Sequence, residues 1–198
     1  MDDLIDPDLI DPDLIDPDLI DTVLQEMTTV LARVSRDEVG ALANRLNAAP
    51  RVFVAGEGRS GFMAKAFAMR LMHLGLPVHV IGETTTPSVA SGDVVVGVSA
   101  SGTTGGTVRV AEQAVKVGAT VHAVTTDPDS PLARHAEVVL TVPAATKYRR
   151  AGEAATIQPL SSLFDQATHV VLDVVCLELA GLRGVDNAAA RTAHANTE

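Results

Sequence analysis

Two short loops in the sequence combine the residue types that bind a phosphate group. The first loop, GEGRSG at residues 56–61, follows a β-branched run and offers Arg59 and Ser60. The second loop, SASGTT at residues 99–104, follows another such run and precedes a helical pattern. Glycines let backbone N–H groups turn toward an anion, and hydroxyls supply further short donors. The spacing therefore predicts a phosphate site, with the candidate ligands Arg59, Ser60, Ser99, Ser101, Gly102, Thr103 and Thr104.

Each loop also allows another interpretation. GEGRSG matches the G-x-G-x-x-G pattern of dinucleotide sites, and Glu83 lies where a ribose-binding acid would be expected. However, any tight turn between a strand and a helix that approaches an anion selects the same glycines. The SASGTT loop, taken alone, could simply cap the helix that follows it. Two such loops at matching positions favour one small phosphorylated ligand over a nucleotide.

The apolar pattern around these loops alternates between strands and helices. Nearly continuous apolar runs predict five buried strands at residues 52–56, 78–82, 94–98, 120–124 and 138–142. Helical spacing predicts helices at residues 61–74, 105–117 and 161–180, and two more within residues 23–48, broken near Ser35. This alternation implies a three-layer α/β/α sandwich with a five-stranded parallel sheet. Ligands of such sheets bind at the carboxyl ends of the strands, where both loops are expected.

Repeats and charge divide the chain into three parts. Residues 3–22 repeat a five-residue unit, DLIDP, whose prolines block helix formation. Nine of the 25 acidic residues lie in residues 1–21, which contain no Lys or Arg. We expect residues 1–22 to be a disordered acidic tail, with a short linear motif for a partner as the alternative. Residues 23–182 then form the folded domain, and residues 183–198 form a C-terminal tail.

The composition argues against several classes of function. A formal charge of −10 and an aromatic content of 3% disfavour binding to nucleic acids and to anionic membranes. The single cysteine, Cys176, permits neither an internal disulfide nor a multi-cysteine metal site, and we expect it to be a small buried apolar side chain. No segment is long and apolar enough to cross a bilayer, and the acidic start is unlike a secretory signal. We therefore expect a cytoplasmic protein.

Five segments of the sequence together resemble a known family. They are GEGRSG (56–61), FAMRLMHLG (67–75), GETTTP (82–87), SASGTT (99–104) and IQPLSSLFDQ (157–166), and they resemble successive signatures of the 6-phospho-3-hexuloisomerases. These enzymes belong to the sugar isomerase (SIS) domain family. The resemblance implies conversion of 3-hexulose 6-phosphate into fructose 6-phosphate through a cis-enediol, in the ribulose monophosphate pathway of formaldehyde fixation or detoxification. It also implies a homo-oligomer, usually a tetramer, that uses no metal and no organic cofactor.

The resemblance also implies roles for individual residues. The family's proposed proton acceptor is a Glu that falls on Asp165, which is one methylene shorter. The oxygen of the enediolate needs a hydrogen-bond donor, which His73, Arg59 or a backbone N–H could supply. Glu83 could be a polar group at the edge of the pocket. Thr103 departs from the family pattern, which often has Glu there. The family's phosphate ligands fall on Ser60, Ser99, Ser101, Gly102, Thr103 and Thr104.

Structural roles compete with these assignments. Ser162 and Asp165 fit the S-x-x-D spacing of a capping box, which would explain both residues without catalysis. His73 lies near a helix end, where it could interact with the helix dipole or lie at a subunit contact. Glu83 could equally be a salt-bridge partner. The charged link at residues 143–160 could be a solvated loop, a cover over the site or a contact with a neighbouring subunit.

Two other functions compete with the hexulose phosphate isomerase. The first is another SIS isomerase, acting on an arabinose or sedoheptulose phosphate. The second is a module that binds a sugar phosphate without catalysis, as a sensor does. Such sensors usually carry a helix-turn-helix region, and residues 1–50 contain no basic recognition helix. This absence disfavours the sensor.

Overall fold

The computed structural model describes residues 18–196, which form alternating helices and strands. Two helices precede the first strand, and two helices follow the last strand. The elements are α1 (Leu19–Ala32), α2 (Arg36–Ala48), β1 (Val52–Gly56), α3 (Gly58–His73), β2 (Val78–Val80), β3 (Val94–Val98), α4 (Gly105–Lys116), β4 (Thr120–Thr125), a 3₁₀ turn (Ala133–His135), β5 (Val138–Thr141), α5 (Ser162–Arg183) and α6 (Asn187–Thr192). None of these helices is both long and apolar enough to span a membrane.

All five strands are parallel and form one sheet in the order β2-β1-β3-β4-β5. This arrangement confirms the predicted fold class. The chain leaves β1 toward β2 on one side and continues from β3 toward β4 on the other side. The direction of winding therefore reverses between β1 and β3, and a reversal of this kind leaves a crevice at the carboxyl ends of the two strands.

The strands bury alternate side chains on opposite faces of the sheet. On one face, Val54 and Val96 pack in a large core with residues of α2, α3 and α5. On the other face, Phe53 and Val95 pack against α4 in a smaller core. The helices α3 and α4 therefore begin on opposite faces of the sheet, one on either side of the crevice.

The ends of the folded region differ from the sequence prediction. Helix α1 begins at Leu19, four residues before the predicted start of the domain, and Asp18 caps it by accepting a hydrogen bond from the N–H of Asp21. Ser35 caps α2 and separates it from α1, at the predicted break. The predicted C-terminal tail contains α6, and most of the predicted acidic tail lies outside the described residues.

The link at residues 143–161, which we name the strap, has a defined fold. The guanidinium of Arg149 donates to the backbone carbonyls of Thr146 and Leu160, which closes the strap on itself. The carboxylate of Glu26 in α1 accepts hydrogen bonds from Thr156 Oγ1, the N–H of Ile157 and Gln158 Nε2. The strap is therefore bound to α1 rather than solvated, and it leads directly into α5.

Candidate functional site

The helices at the crevice differ from the other helices in how they begin. Side chains of Asp18, Ser35 and Asp186 cap α1, α2 and α6 through hydrogen bonds to first-turn N–H groups. In the described chain no side chain caps α3, α4 or α5 in this way. The first N–H groups of a helix have no partner within the helix and carry a partial positive charge. Two uncapped helices that flank one crevice are therefore suited to bind an anion.

The SASGTT loop is held in shape by its own hydroxyl groups. Ser99 Oγ shares a hydrogen bond of 2.8 Å with Thr104 Oγ1, and Ser101 Oγ shares one of 2.8 Å with Thr103 Oγ1. Thr104 is the N-cap residue of α4, but its hydroxyl is used within the loop and does not cap the helix. The alternative that the loop only caps the next helix therefore does not apply to the Thr104 hydroxyl.

Gly102 allows the loop to pack closely against the neighbouring turn. Its φ angle is +62°, and a Cβ atom at this position would lie 2.1 Å from Ser130 Oγ. The N–H of Leu132 donates to the carbonyl of Gly102, and Thr126 Oγ1 donates to the carbonyl of Ala100. These bonds fix the loop to the segment that follows β4, so that its donors are oriented before a ligand arrives.

Asp165 lies in the first turn of α5 and contacts the beginning of α3. Ser60 Oγ donates to its Oδ1 at 2.9 Å, and Arg59 Nε donates to its Oδ2 at 3.3 Å. Only 3% of Asp165 is exposed. Burial raises the pKa of this carboxyl above its usual value, while the hydrogen bond from Ser60 and the charge of Arg59 oppose the increase. A buried carboxylate with a raised pKa is suited to accept and return a proton.

The predicted capping box between Ser162 and Asp165 is absent from the structure. The N-cap residue of α5 is Ser161, and no side chain caps this helix among the described residues. Ser162 is already the first residue of the helix, so Asp165 is one position too far along for a capping role. Its carboxylate is instead bound by Ser60 and Arg59.

A groove with a volume of about 320 Å³ opens beside Asp165. His169, one helical turn after Asp165, lines it and was not selected as a site residue from the sequence. His169 Nε2 lies 3.8 Å from Asp173 Oδ2 on the same helix. His169 follows Asp165 by four residues, and this spacing in the sequence indicates that the two side chains share one face of the helix. The lining residues are Met27, Arg59, Met63, Asp165, Gln166, His169 and Val170.

Glu57 is a second acidic residue at the crevice, and the sequence prediction did not select it. It is the N-cap residue of α3, but its side chain reaches across to the first turn of α4. A Cβ atom at Gly106 would lie 1.8 Å from Glu57 Oε1. The carboxylate of Glu57 therefore lies between the two predicted phosphate loops. Its position within GEGRSG was visible in the sequence, but its direction was not.

Two other predicted site residues, His73 and Glu83, are not part of the group around Asp165. His73 is at the opposite end of α3 from Ser60, about 20 Å away along the helix axis. Its ring stacks on that of His194, with 5.2 Å between the centroids, and its pKa is lowered by burial and by the charges of Arg70 and His194. Glu83 follows β2 at the edge of the sheet and is exposed, without a side-chain partner among the described residues.

Among the described residues, no three His, Cys, Asp or Glu side chains lie close enough together to hold a metal ion. The structure instead brings together two groups of predicted residues. Arg59, Ser60 and Asp165 form one group around a buried carboxylate. Residues 99–104 form the other group, at the beginning of α4. Together they offer a proton acceptor and a set of anion donors at the same edge of the sheet.

Comparisons with known proteins show which family the chain belongs to. The SIS domain model matches residues 45–170. The 3-hexulose-6-phosphate isomerase of Mycobacterium gastri is 45% identical over 176 residues, which cover 89% of this chain and 88% of that protein. The 3-hexulose-6-phosphate isomerase of Bacillus subtilis is 39% identical over 176 residues, covering 89% and 95% of the two chains.

A solved structure extends the similarity to three dimensions. It is a hypothetical protein from Methanococcus jannaschii, whose crystal structure was used to infer a function of 3-hexulose-6-phosphate isomerase. The TM-score is 0.78 at 26% sequence identity, and the match covers 90% of this chain and 98% of that one. The family match, the two relatives and the five-stranded parallel sheet confirm the resemblance in the sequence. The chain belongs to the SIS domain family.

Proposed function

We propose that the protein converts 3-hexulose 6-phosphate into fructose 6-phosphate. The observation that carries the proposal is the buried Asp165 carboxylate, which is bound by Ser60 and Arg59 beside the uncapped beginning of α3. The relatives named 3-hexulose-6-phosphate isomerase support the choice of substrate. No other arrangement of acidic residues in the described chain combines burial, a raised pKa and a neighbouring anion site.

The phosphate group of the substrate serves as the handle for binding. Its oxygens accept hydrogen bonds from the first-turn N–H groups of α4 and from the hydroxyls of the SASGTT loop. Ser99 and Ser101 are buried and already bonded within the loop, so the phosphate meets donors that are held in place. The energy of this binding holds the reacting carbons against the catalytic carboxylate.

The reaction moves a ketone from C3 to C2. Asp165 removes the proton on C2, the C3 oxygen takes up negative charge, and a cis-enediol forms. The same carboxylic acid then returns the proton to C3, while the proton of the C2 hydroxyl is transferred to the C3 oxygen. The raised pKa of Asp165 favours this exchange because the group must both accept and release a proton. Arg59 stabilises the negative oxygen, since its side chain is 60% exposed at the groove.

The remaining candidate residues, His73 and Glu83, are assigned roles outside the group formed by Arg59, Ser60 and Asp165. We propose that the protein works in the cytoplasm as a homotetramer, in the ribulose monophosphate pathway. Within one chain His73 is about 20 Å from Ser60, so it can take part only if a neighbouring copy presents it to the substrate. Glu83 is exposed after β2 and provides a polar group at the edge of the pocket.

The decisive experiment measures formation of fructose 6-phosphate from 3-hexulose 6-phosphate. The wild-type protein should turn over this substrate faster than arabinose or sedoheptulose phosphates. Asp165→Asn should abolish turnover and keep sugar-phosphate binding, because the phosphate donors are on α4 and its loop. Asp37→Asn, at an exposed position in α2, is the matched control. Tight binding of sugar phosphates by the wild type without any turnover would refute the enzyme and favour the sensor.

A further inference from the structure

We infer that Glu57 acts as an internal competitor for the phosphate site: its carboxylate occupies the beginning of α4 in the free protein and must leave when a phosphate binds. This inference rests on the proposed function, because it concerns the same phosphate site. It assigns to Glu57 control over the affinity for sugar phosphates.

The backbone directs Glu57 across the crevice. Its φ and ψ angles of −119° and 153° are extended, and Gly58 follows with φ at +58°. This sharp turn starts α3 and leaves the Glu57 side chain outside the helix. The Glu57 Oε1 atom would lie 1.8 Å, and its Cδ atom 3.0 Å, from a Cβ atom at Gly106. The carboxylate therefore lies directly against the first turn of α4, in a space that exists only because residue 106 is glycine.

The first turn of α4 has unused hydrogen-bond donors. The N–H groups of Gly105, Gly106 and Thr107 donate to no other described residue, and the hydroxyl of Thr104 is bonded to Ser99. Such donors need an acceptor from a side chain, water or a ligand. The nearest anionic group is the carboxylate of Glu57, and the partial positive charge at the helix end stabilises it there.

Nothing else in the described chain holds the Glu57 carboxylate. It makes no hydrogen bond or ion pair with a described residue, and the residue is exposed. Arg59 is two positions away, but its guanidinium is paired with Asp165. Glu57 can therefore turn toward solvent through its side-chain torsions when another anion arrives.

Two anions cannot share the first turn of α4. Negative charges a few ångströms apart repel each other at and near a protein surface. A phosphate has more oxygens and more charge than a carboxylate, so it takes the free N–H donors and displaces the Glu57 carboxylate from the space in front of Gly106. The measured affinity is then reduced by the free energy that Glu57 had gained in that position. Removal of the carboxylate should therefore strengthen phosphate binding.

Calorimetric titration with inorganic phosphate and with fructose 6-phosphate tests this inference. Glu57→Gln and Glu57→Ala should each lower the Kd for both ligands by about tenfold relative to wild type, an effect equal to roughly 1.4 kcal/mol. Glu178→Gln, which removes the same charge from an exposed position in α5, should leave both Kd values unchanged.

A second pair of variants separates position from charge. Gly106→Ala places a methyl group where Oε1 of Glu57 lies and forces the carboxylate away while keeping its charge in the protein. The effect of Gly106→Ala on the Kd for phosphate is measured in two backgrounds. In the Glu57→Ala protein the methyl group can only disturb the site. In the wild-type background it also displaces the carboxylate, so the change in Kd should be more favourable there.

The outcomes distinguish this inference from the proposed function. Unchanged or weaker binding by both Glu57 variants, with a wild type that binds, would overturn the inference and leave the proposed function intact. Absence of binding by the wild type and by every variant would remove the phosphate site and both proposals with it. Binding by the variants alone would support the competition directly.

Discussion

Ser60 Oγ donates a hydrogen bond of 2.9 Å to Oδ1 of Asp165, and the two residues are 105 positions apart in the chain. The bond joins the GEGRSG loop to the first turn of α5. It opposes the effect of burial on the pKa of Asp165, because a donor stabilises the charged form of a carboxyl. Ser60 therefore links the beginning of α3 with the protonation state of the proposed base.

Ser60→Ala should move the pH dependence of the reaction. Loss of the donor raises the pKa of Asp165 further, so a larger fraction of the base is protonated at a given pH. The acidic limb of the kcat/KM profile should shift to higher pH, and kcat/KM at neutral pH should fall by about tenfold or more. Steady-state assays across pH measure both effects. Ser60→Thr keeps a hydroxyl and should restore the profile; an unshifted limb in Ser60→Ala would refute the link.

Gly102→Ala should damage both the phosphate loop and the stability of the fold. The φ angle of +62° disfavours any side chain, and the new Cβ atom would lie 2.1 Å from Ser130 Oγ. We expect a loss of about 1–3 kcal/mol in the free energy of unfolding and a marked loss of phosphate affinity. Urea denaturation and phosphate titration measure the two effects. Gly181→Ala in α5, where no heavy atom is near, should retain full stability.

The strands and loops could be predicted from the sequence, whereas the directions of the site side chains could not. Apolar runs located all five strands, because a buried parallel strand needs a nearly continuous apolar segment. The loops were also predictable, since two loops rich in glycine and hydroxyl residues follow strands at matching positions. The directions of Glu57 and Ser60 depend on α4 and α5, which are distant in the chain. The separation of His73 from Ser60 follows from the length of α3, which places the two residues at opposite ends of the sheet.

The start of α1 at Leu19 has a local explanation that the repeat concealed. The repeat unit suggested continued disorder through residue 22, since earlier units contain proline. The last unit ends in Thr22 instead, so no proline interrupts the segment after Asp18. Asp18 can then cap the helix that carries Glu26 to the strap.

His122 should make the protein less stable in mild acid. Its ring is buried in β4, and neither ring nitrogen has a partner among the described residues. Burial lowers its pKa to about 4, from an ordinary value of 6.5. Between these values the unfolded chain binds a proton that the folded protein does not, so stability falls as the pH falls from 6.5 toward 4. The full effect is about 3 kcal/mol.

Denaturation at several pH values tests the assignment to His122. His122→Leu should remove most of this pH dependence and should unfold at higher denaturant concentration near pH 5. His135→Gln, at a partly exposed histidine, should keep the wild-type dependence. If the stability of His122→Leu depended on pH as strongly as that of the wild type, other groups would control stability in this pH range.

Glu26→Ala should loosen the strap and thereby misplace Asp165. Burial alone would raise the pKa of Glu26, but hydrogen bonds from Gln158, Thr156 and Ile157 outweigh it and lower the pKa. The carboxylate therefore contributes stability above its unfolded pKa, and this contribution is lost as the pH falls through the folded pKa. Its removal leaves the donors of Thr156 and Gln158 without their partner, at an expected loss of about 2 kcal/mol in the free energy of unfolding.

The catalytic effect of Glu26→Ala should appear in kcat more than in KM. The strap leads into α5, whose first turn carries Asp165, whereas the phosphate donors are on α4 and its loop. A displaced base slows proton transfer, while the phosphate still binds, so kcat should fall about tenfold with a nearly unchanged KM. Gln25→Ala, at the exposed neighbouring position in α1, should change neither constant. If Glu26→Ala instead impaired KM as strongly as kcat, the result would indicate a general disturbance of the fold.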